Sequence, residues 1–92
     1  MEIKAGDKVR IKSWEKVIEE NPNFYDAEYG EIERGPTFQD TMGEYHGKEW
    51  VVNKTWKQEE EEDGETYTWF TIDDETGFDY TWSSWMVKEV VN

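Results

Sequence analysis

From residue 50 onward the chain is a succession of short β-branched and aromatic runs, each closed by a turn signal. "WVVNKTW" (50–56), "TYTWFTI" (66–72), "FDYTW" (78–82) and "VKEVV" (87–91) are separated by an acidic tract ending in Gly64, by "DDETG" (73–77) and by "SSWM" (83–86). Runs this short do not make stable amphipathic helices. Turn signals every ~8–12 residues point instead to a small antiparallel barrel or sandwich.

The first half fits that frame as a strand followed by an insertion. In "GDKVRIKS" (6–13) Val9 and Ile11 alternate with Lys8, Arg10 and Lys12, which predicts a half-buried strand. In "SWEKVIEENP" (13–22) Ser13 is placed to cap a helix, and Glu15 suits its positive end. Trp14, Val17 and Ile18 share one face, and Pro22 ends it after about two turns. Residues 23–36 lack clean periodicity and read as a long loop with short extended pieces. "TFQDTMGEYHG" (37–47) predicts a second short helix, with Thr37 and Asp40 as a capping pair and Phe38, Met42 and Tyr45 on one face. Within "WVVNKTW", Trp50, Val52 and Trp56 are expected on one face, with Lys54 the exception. Trp50, Trp69 and Trp82 are expected in the core.

Ninety-two residues make one domain, and 15 aromatic residues supply the large side chains that so small a core requires. Without cysteine there are no disulfides, thiolate metal sites or Cys nucleophile. That absence, a charged N-terminal segment and the lack of a ~20-residue apolar run suit a cytoplasmic protein.

Charge is the dominant compositional fact. Twenty-three acidic against ten basic residues give −13, which disfavours binding to nucleic acid or to an anionic membrane. The excess is local: residues 1–12 carry four basic and two acidic groups, whereas 58–79 hold ten acids and no base.

At this point the motifs carry a resemblance. "GDKVRIKSW" resembles the opening strand of SH3-like barrels, and "GKEWVV" (47–52) is similar to their second core strand. "FDYTWSSWMVKEV" (78–90) resembles the strand, single helical turn and final strand that close them. The chain looks like the small SH3-like barrel proteins encoded by phages and prophages. The expected fold is therefore mainly β: residues 1–92 as one SH3-like barrel of four to five antiparallel strands, with one or two short helices after the first strand. The resemblance also implies the bacterial host cytosol.

Catalytic readings find little support. His46 is the sole histidine and sits at a helix end, where a dipole contact is the ordinary role. Carboxylates in turns are solvated and lack the raised pKa of a general acid. "DDETGFD" fails the EF-hand pattern: counting from Asp73, Gly77 falls at position 5 rather than 6. No enzyme activity, metal or cofactor is expected.

Solubility alone would be served by mixed charges, so the base-free stretch invites a functional reading. Carboxylates held on hairpins, ~6.6–6.8 Å apart at alternate positions along a strand, approach the charge spacing of a phosphate backbone. The expected partner-binding face is Glu59, Glu60, Glu61, Glu62, Asp63, Glu65, Asp73, Asp74, Glu75 and Asp79. The expected partner is a protein with a basic nucleic-acid-binding surface, with no direct contact to nucleic acid or membrane. This is the strategy of anti-CRISPR and anti-restriction DNA mimics. Two other readings accompany it: an SH3-like adaptor that grips an extended peptide through aromatics, and a structural phage component.

Overall fold

The computed structural model describes residues 2–59, 64–73 and 80–91. Two antiparallel sheets make up the described fold, one of five strands and one of three. Strand β1 (Lys8–Ile11) leads into helix α1 (Trp14–Glu20), and β2 (Tyr25–Asp26), β3 (Glu31–Glu33) and β4 (Thr37–Gln39) form the small sheet. A 3-10 turn (Asp40–Tyr45) returns the chain to β5 (Glu49–Glu59), which pairs with β6 (Thr66–Ile72). Strand β7 (Trp82–Ser83), a 3-10 turn (Ser84–Met86) and β8 (Val87–Val90) complete it. The larger sheet runs β7-β6-β5-β1-β8.

Local signals explain the first elements. Val9 and Ile11 are fully buried beneath solvated Lys8 and half-buried Arg10, as alternation requires. Ser13 Oγ accepts from the Lys16 backbone N–H at 3.2 Å, and Pro22 stands just beyond the C-terminal cap Asn21. Val17 carries the inward face of α1. The core gathers Val9, Ile11, Val17, Ile32, Phe38, Met42, Val52, Phe70, Trp82, Met86 and Val87, drawing on both sheets and on α1.

Three sequence expectations need correction. The larger sheet does not close into a barrel: its two edges, β7 and β8, are joined by a 3-10 turn rather than a ladder, and β7 has only two residues. The short extended pieces expected within residues 23–36 are strands β2 and β3. Ile32 pairs with both Tyr25 and Phe38 to build the small sheet. The helix expected from Thr37 begins instead as strand β4. Its 3-10 turn starts only at Asp40, because pairing with β3 claims residues 37–39. The strand expected from Phe78 is confined, among the described residues, to Trp82–Ser83, while Phe78 and Asp79 lie outside them.

The tryptophans divide differently too. Trp82 is buried, but Trp50 and Trp69 are half-buried. A β-bulge between Val52 and Lys54 also breaks the single face expected of Trp50, Val52 and Trp56. It sets Val52 opposite Ile72 and Thr55 opposite Phe70, so one inserted residue turns Lys54 and Trp56 to the other face. Trp69, opposite Trp56, goes outward with it.

Candidate partner-binding surface

The long β5–β6 hairpin holds two of the expected carboxylates at its distal end. Glu59 pairs with Thr66, and Glu65 immediately precedes β6. Asp73 lies beyond the opposite end of β6, where its backbone N–H donates to Val51 O at 3.0 Å. Eight residue steps of strand at ~3.3 Å each separate Glu65 from Asp73 by roughly 26 Å. The hairpin therefore brings Glu59 and Glu65 together and sets Asp73 apart. Glu60, Glu61, Glu62, Asp63, Asp74, Glu75 and Asp79 lie outside the described residues.

The outward face of this hairpin is aromatic. Trp56 stacks on Trp69 with centroids 6.4 Å apart and planes inclined by 18°. Lys54 Nζ sits 5.7 Å from the Trp56 ring, within cation–π range. Cross-strand pairs of this kind stiffen a ribbon by roughly 0.2–1 kcal/mol each.

A second acidic group lies on the small sheet, in the stretch expected to be a loop with short extended pieces. Asp26 stands directly across from Glu31, and Glu33 lies two residues farther along β3 on the same face. The carboxyl of Glu31 is held above its ordinary range, chiefly by a hydrogen bond shared with Glu33. Burial comes second, and the charges of Glu33 and Asp26 add to it. Negative charge is thus concentrated enough to favour a bound proton. Asp26 also organises the turn into β3, with Oδ1 accepting from the backbone N–H groups of Glu28 at 3.0 Å and Tyr29 at 3.3 Å. Gly30 completes this turn with φ of 63°.

The segment from Phe24 to Tyr29 carries the most exposed aromatics among the described residues, and Tyr25, opposite Ile32, lies on the face away from the carboxylates. Tyr29 is 71% exposed, Phe24 46% and Tyr25 40%. Tyr25 is backed by Trp14, edge to face at 5.9 Å, and Trp14 in turn stacks on buried Phe38 at 6.0 Å. The aromatic surface is therefore anchored to the core. Its sequence signal was the alternation Glu31–Ile32–Glu33, with Ile32 fully buried between two carboxylates.

His46 is exposed, and its Nδ1 lies 2.6 Å from Gly43 O, tying off the 3-10 turn that it follows. Among the described residues no group of three His, Asp or Glu side chains is arranged to hold a metal ion. Nor, among them, is any helix long and apolar enough to cross a membrane. Comparison with protein-family models, curated proteins and solved structures finds no match to this chain.

Proposed function

We propose that this chain is a non-enzymatic acidic binding protein that covers the basic nucleic-acid-binding surface of a protein partner, in the manner of phage-type inhibitors that mimic nucleic acid. The observation that carries the reading is the small sheet, where Asp26, Glu31 and Glu33 share one face and Tyr29 stands exposed in the turn between Asp26 and Glu31. A cationic partner relieves the repulsion among these carboxylates, and Tyr29 offers the desolvated anchor that a phosphate backbone lacks. Charge of this density speeds encounter with an opposite surface by ~10–10³-fold. Glu59 and Glu65, on the stiff β5–β6 hairpin, and the neighbouring 60–63 carboxylates extend the anionic surface in this reading.

The architecture we read as SH3-like. The strand order β7-β6-β5-β1-β8 and the 3-10 turn between β7 and β8 support that assignment, with the small sheet and α1 as an insertion after β1. A host bacterial cytosol is the compartment such a phage-type inhibitor requires. One observation favours the peptide-adaptor alternative: Tyr25, Trp14, Phe38 and Trp85 form a linked aromatic strip from surface to core.

Affinity capture from bacterial lysate at low and high salt separates the two readings. Under the mimic reading the chain retains a nucleic-acid-binding protein that elutes as salt screens the contact, and the captured protein loses its DNA or RNA binding. The variant Glu31→Lys/Glu33→Lys should release the partner while keeping the far-ultraviolet circular dichroism of the native fold. Capture that persists in this variant and at high salt would identify a peptide adaptor instead.

A further inference from the structure

On the basic side of the molecule, we propose a binding site for a small phosphate-bearing anion in the groove between α1 and the outer face of β1 and β8. The groove has a volume of about 700 Å³, within the ~300–1,000 Å³ range of small-molecule sites. Arg10, Lys12, Lys16, Lys88 and His46 line it, against the acids Glu15 and Glu20. Four of the chain's ten basic residues and its single histidine thus surround one cavity, in a protein with 23 acidic residues. They arrive from three separate parts of the chain, so the fold rather than a local run of sequence assembles them.

The cations fall into two kinds. Lys12 is fixed, with Nζ 2.7 Å from Trp85 O and 2.8 Å from Glu20 Oε1. Arg10 is shared between Glu89 at 2.9 Å and Glu49 at 3.3 Å. Both of those pairs are exposed, and exposed pairs exchange readily for a stronger acceptor. Lys16 and Lys88, by contrast, have no ion pair among the described residues. Two exposed ammonium groups without a close ion pair, beside a guanidinium and an imidazole, make a donor set suited to the several oxygens and double charge of a phosphate group.

The ligand is limited in size by the rest of the molecule. An extended polyanion would run out over the acidic surface, whereas a small dianion stays within about one screening length, ~8 Å at physiological salt, of the basic wall. The class implied is a free phosphorylated metabolite of nucleotide size rather than a nucleic-acid strand.

Titration of the full chain with inorganic pyrophosphate and with adenosine monophosphate, by calorimetry and by NMR, tests this. Both should bind saturably at one site, shifting the His46 ring and the Lys88 amide. Lys16→Gln/Lys88→Gln, which removes two solvent-facing charges and should keep the far-ultraviolet circular dichroism of the native fold, should weaken binding at least about tenfold, equivalent to ~1.4 kcal/mol. Inorganic sulfate at equal ionic strength serves as the reference for unspecific attraction. Shifts that never saturate, binding untouched by the double variant, or sulfate binding as well as pyrophosphate would each overturn the site. A single-stranded oligonucleotide binding more tightly than the mononucleotide would overturn the restriction to small ligands.

Discussion

Gly43 has no side chain because Trp14 occupies the space that one would need. A Cβ there would lie 2.8 Å from Trp14 Cβ and 3.2 Å from the Trp14 backbone nitrogen, closer than carbon atoms approach without displacement. The obstacle is the start of α1 rather than a flexible tip, so the 3-10 turn and the helix must separate. Gly43→Ala is therefore expected to destabilise the protein by about 1–3 kcal/mol. Thr71 presents the opposite case. Its Oγ1 is buried without a hydrogen-bond partner among the described residues, a condition that costs roughly 1–3 kcal/mol. Thr71→Val keeps the shape and the strand preference while removing the orphaned hydroxyl, and should stabilise. Chemical denaturation of the two variants checks both signs at once, and a stabilised Gly43→Ala or a destabilised Thr71→Val would refute this account of the packing.

At the scale of elements, Asn21 joins helix to sheet. It is 4% exposed, donates from Nδ2 to Val17 O at 2.9 Å, and accepts at Oδ1 from Arg34 Nη1 at 3.0 Å. Arg34 also lies over the Trp85 ring at 5.9 Å, so the β3–β4 connection is held to the end of α1 and to the turn before β8. Asn21→Ala should cost about 1–3 kcal/mol by leaving buried groups unpaired. Hydrogen exchange should show the amides of residues 25–39 losing more protection than those of β5 and β6; a uniform loss would mean that the small sheet is not a separate cooperative unit. The same elements show what the sequence could reveal. Strand β1 and helix α1 were legible because alternation at Val9 and Ile11 and the Ser13 cap act over a few neighbouring residues. Strands β2 and β3 were legible only as short extended pieces and β4 not at all, because runs of two or three residues carry little period and their sheet is built by the pairing of Ile32 with Tyr25 and Phe38. Phe38 and Met42 are spaced as on a helix, yet both are buried equally well by a strand that turns into a 3-10 segment. The bulge at Val52 and Lys54 is likewise fixed by the partner strand. The Asp26, Glu31 and Glu33 cluster went unread because the register that sets Asp26 opposite Glu31 is fixed by strand pairing, which so short a run does not announce.

Across the whole molecule, net charge and individual carboxylates act on stability with opposite signs. Glu20 is held below its ordinary range, first by the hydrogen bond from Lys12, against a smaller opposing effect of burial, with the charges of Lys12, Lys16 and Arg34 adding to it. Its contribution is present above the ordinary carboxylate pKa and is lost as pH falls through the depressed value. Glu31, raised by Glu33 and Asp26, runs the other way: its contribution is complete below the ordinary value and disappears as pH rises through the raised one. At neutral pH, then, the molecule carries the full self-repulsion of a −13 chain, including the crowded small sheet. Acidification from neutrality should first raise the melting temperature, as Glu31 takes up a proton. It should lower the melting temperature only further down, where the Lys12–Glu20 pair is lost. Added sodium chloride at neutral pH should raise it as well, by screening. Glu31→Gln/Glu33→Gln separates the local repulsion from the global one. The double variant should melt higher than the native chain at neutral pH and show a smaller gain on mild acidification, yet still respond to salt because the remaining acids are untouched. Thermal melts across pH and salt for both proteins decide it. A native melting temperature that only falls on acidification, or a double variant no more stable at neutral pH, would show that these carboxylates are not in conflict and would remove the electrostatic reason for a cationic partner to prefer that face.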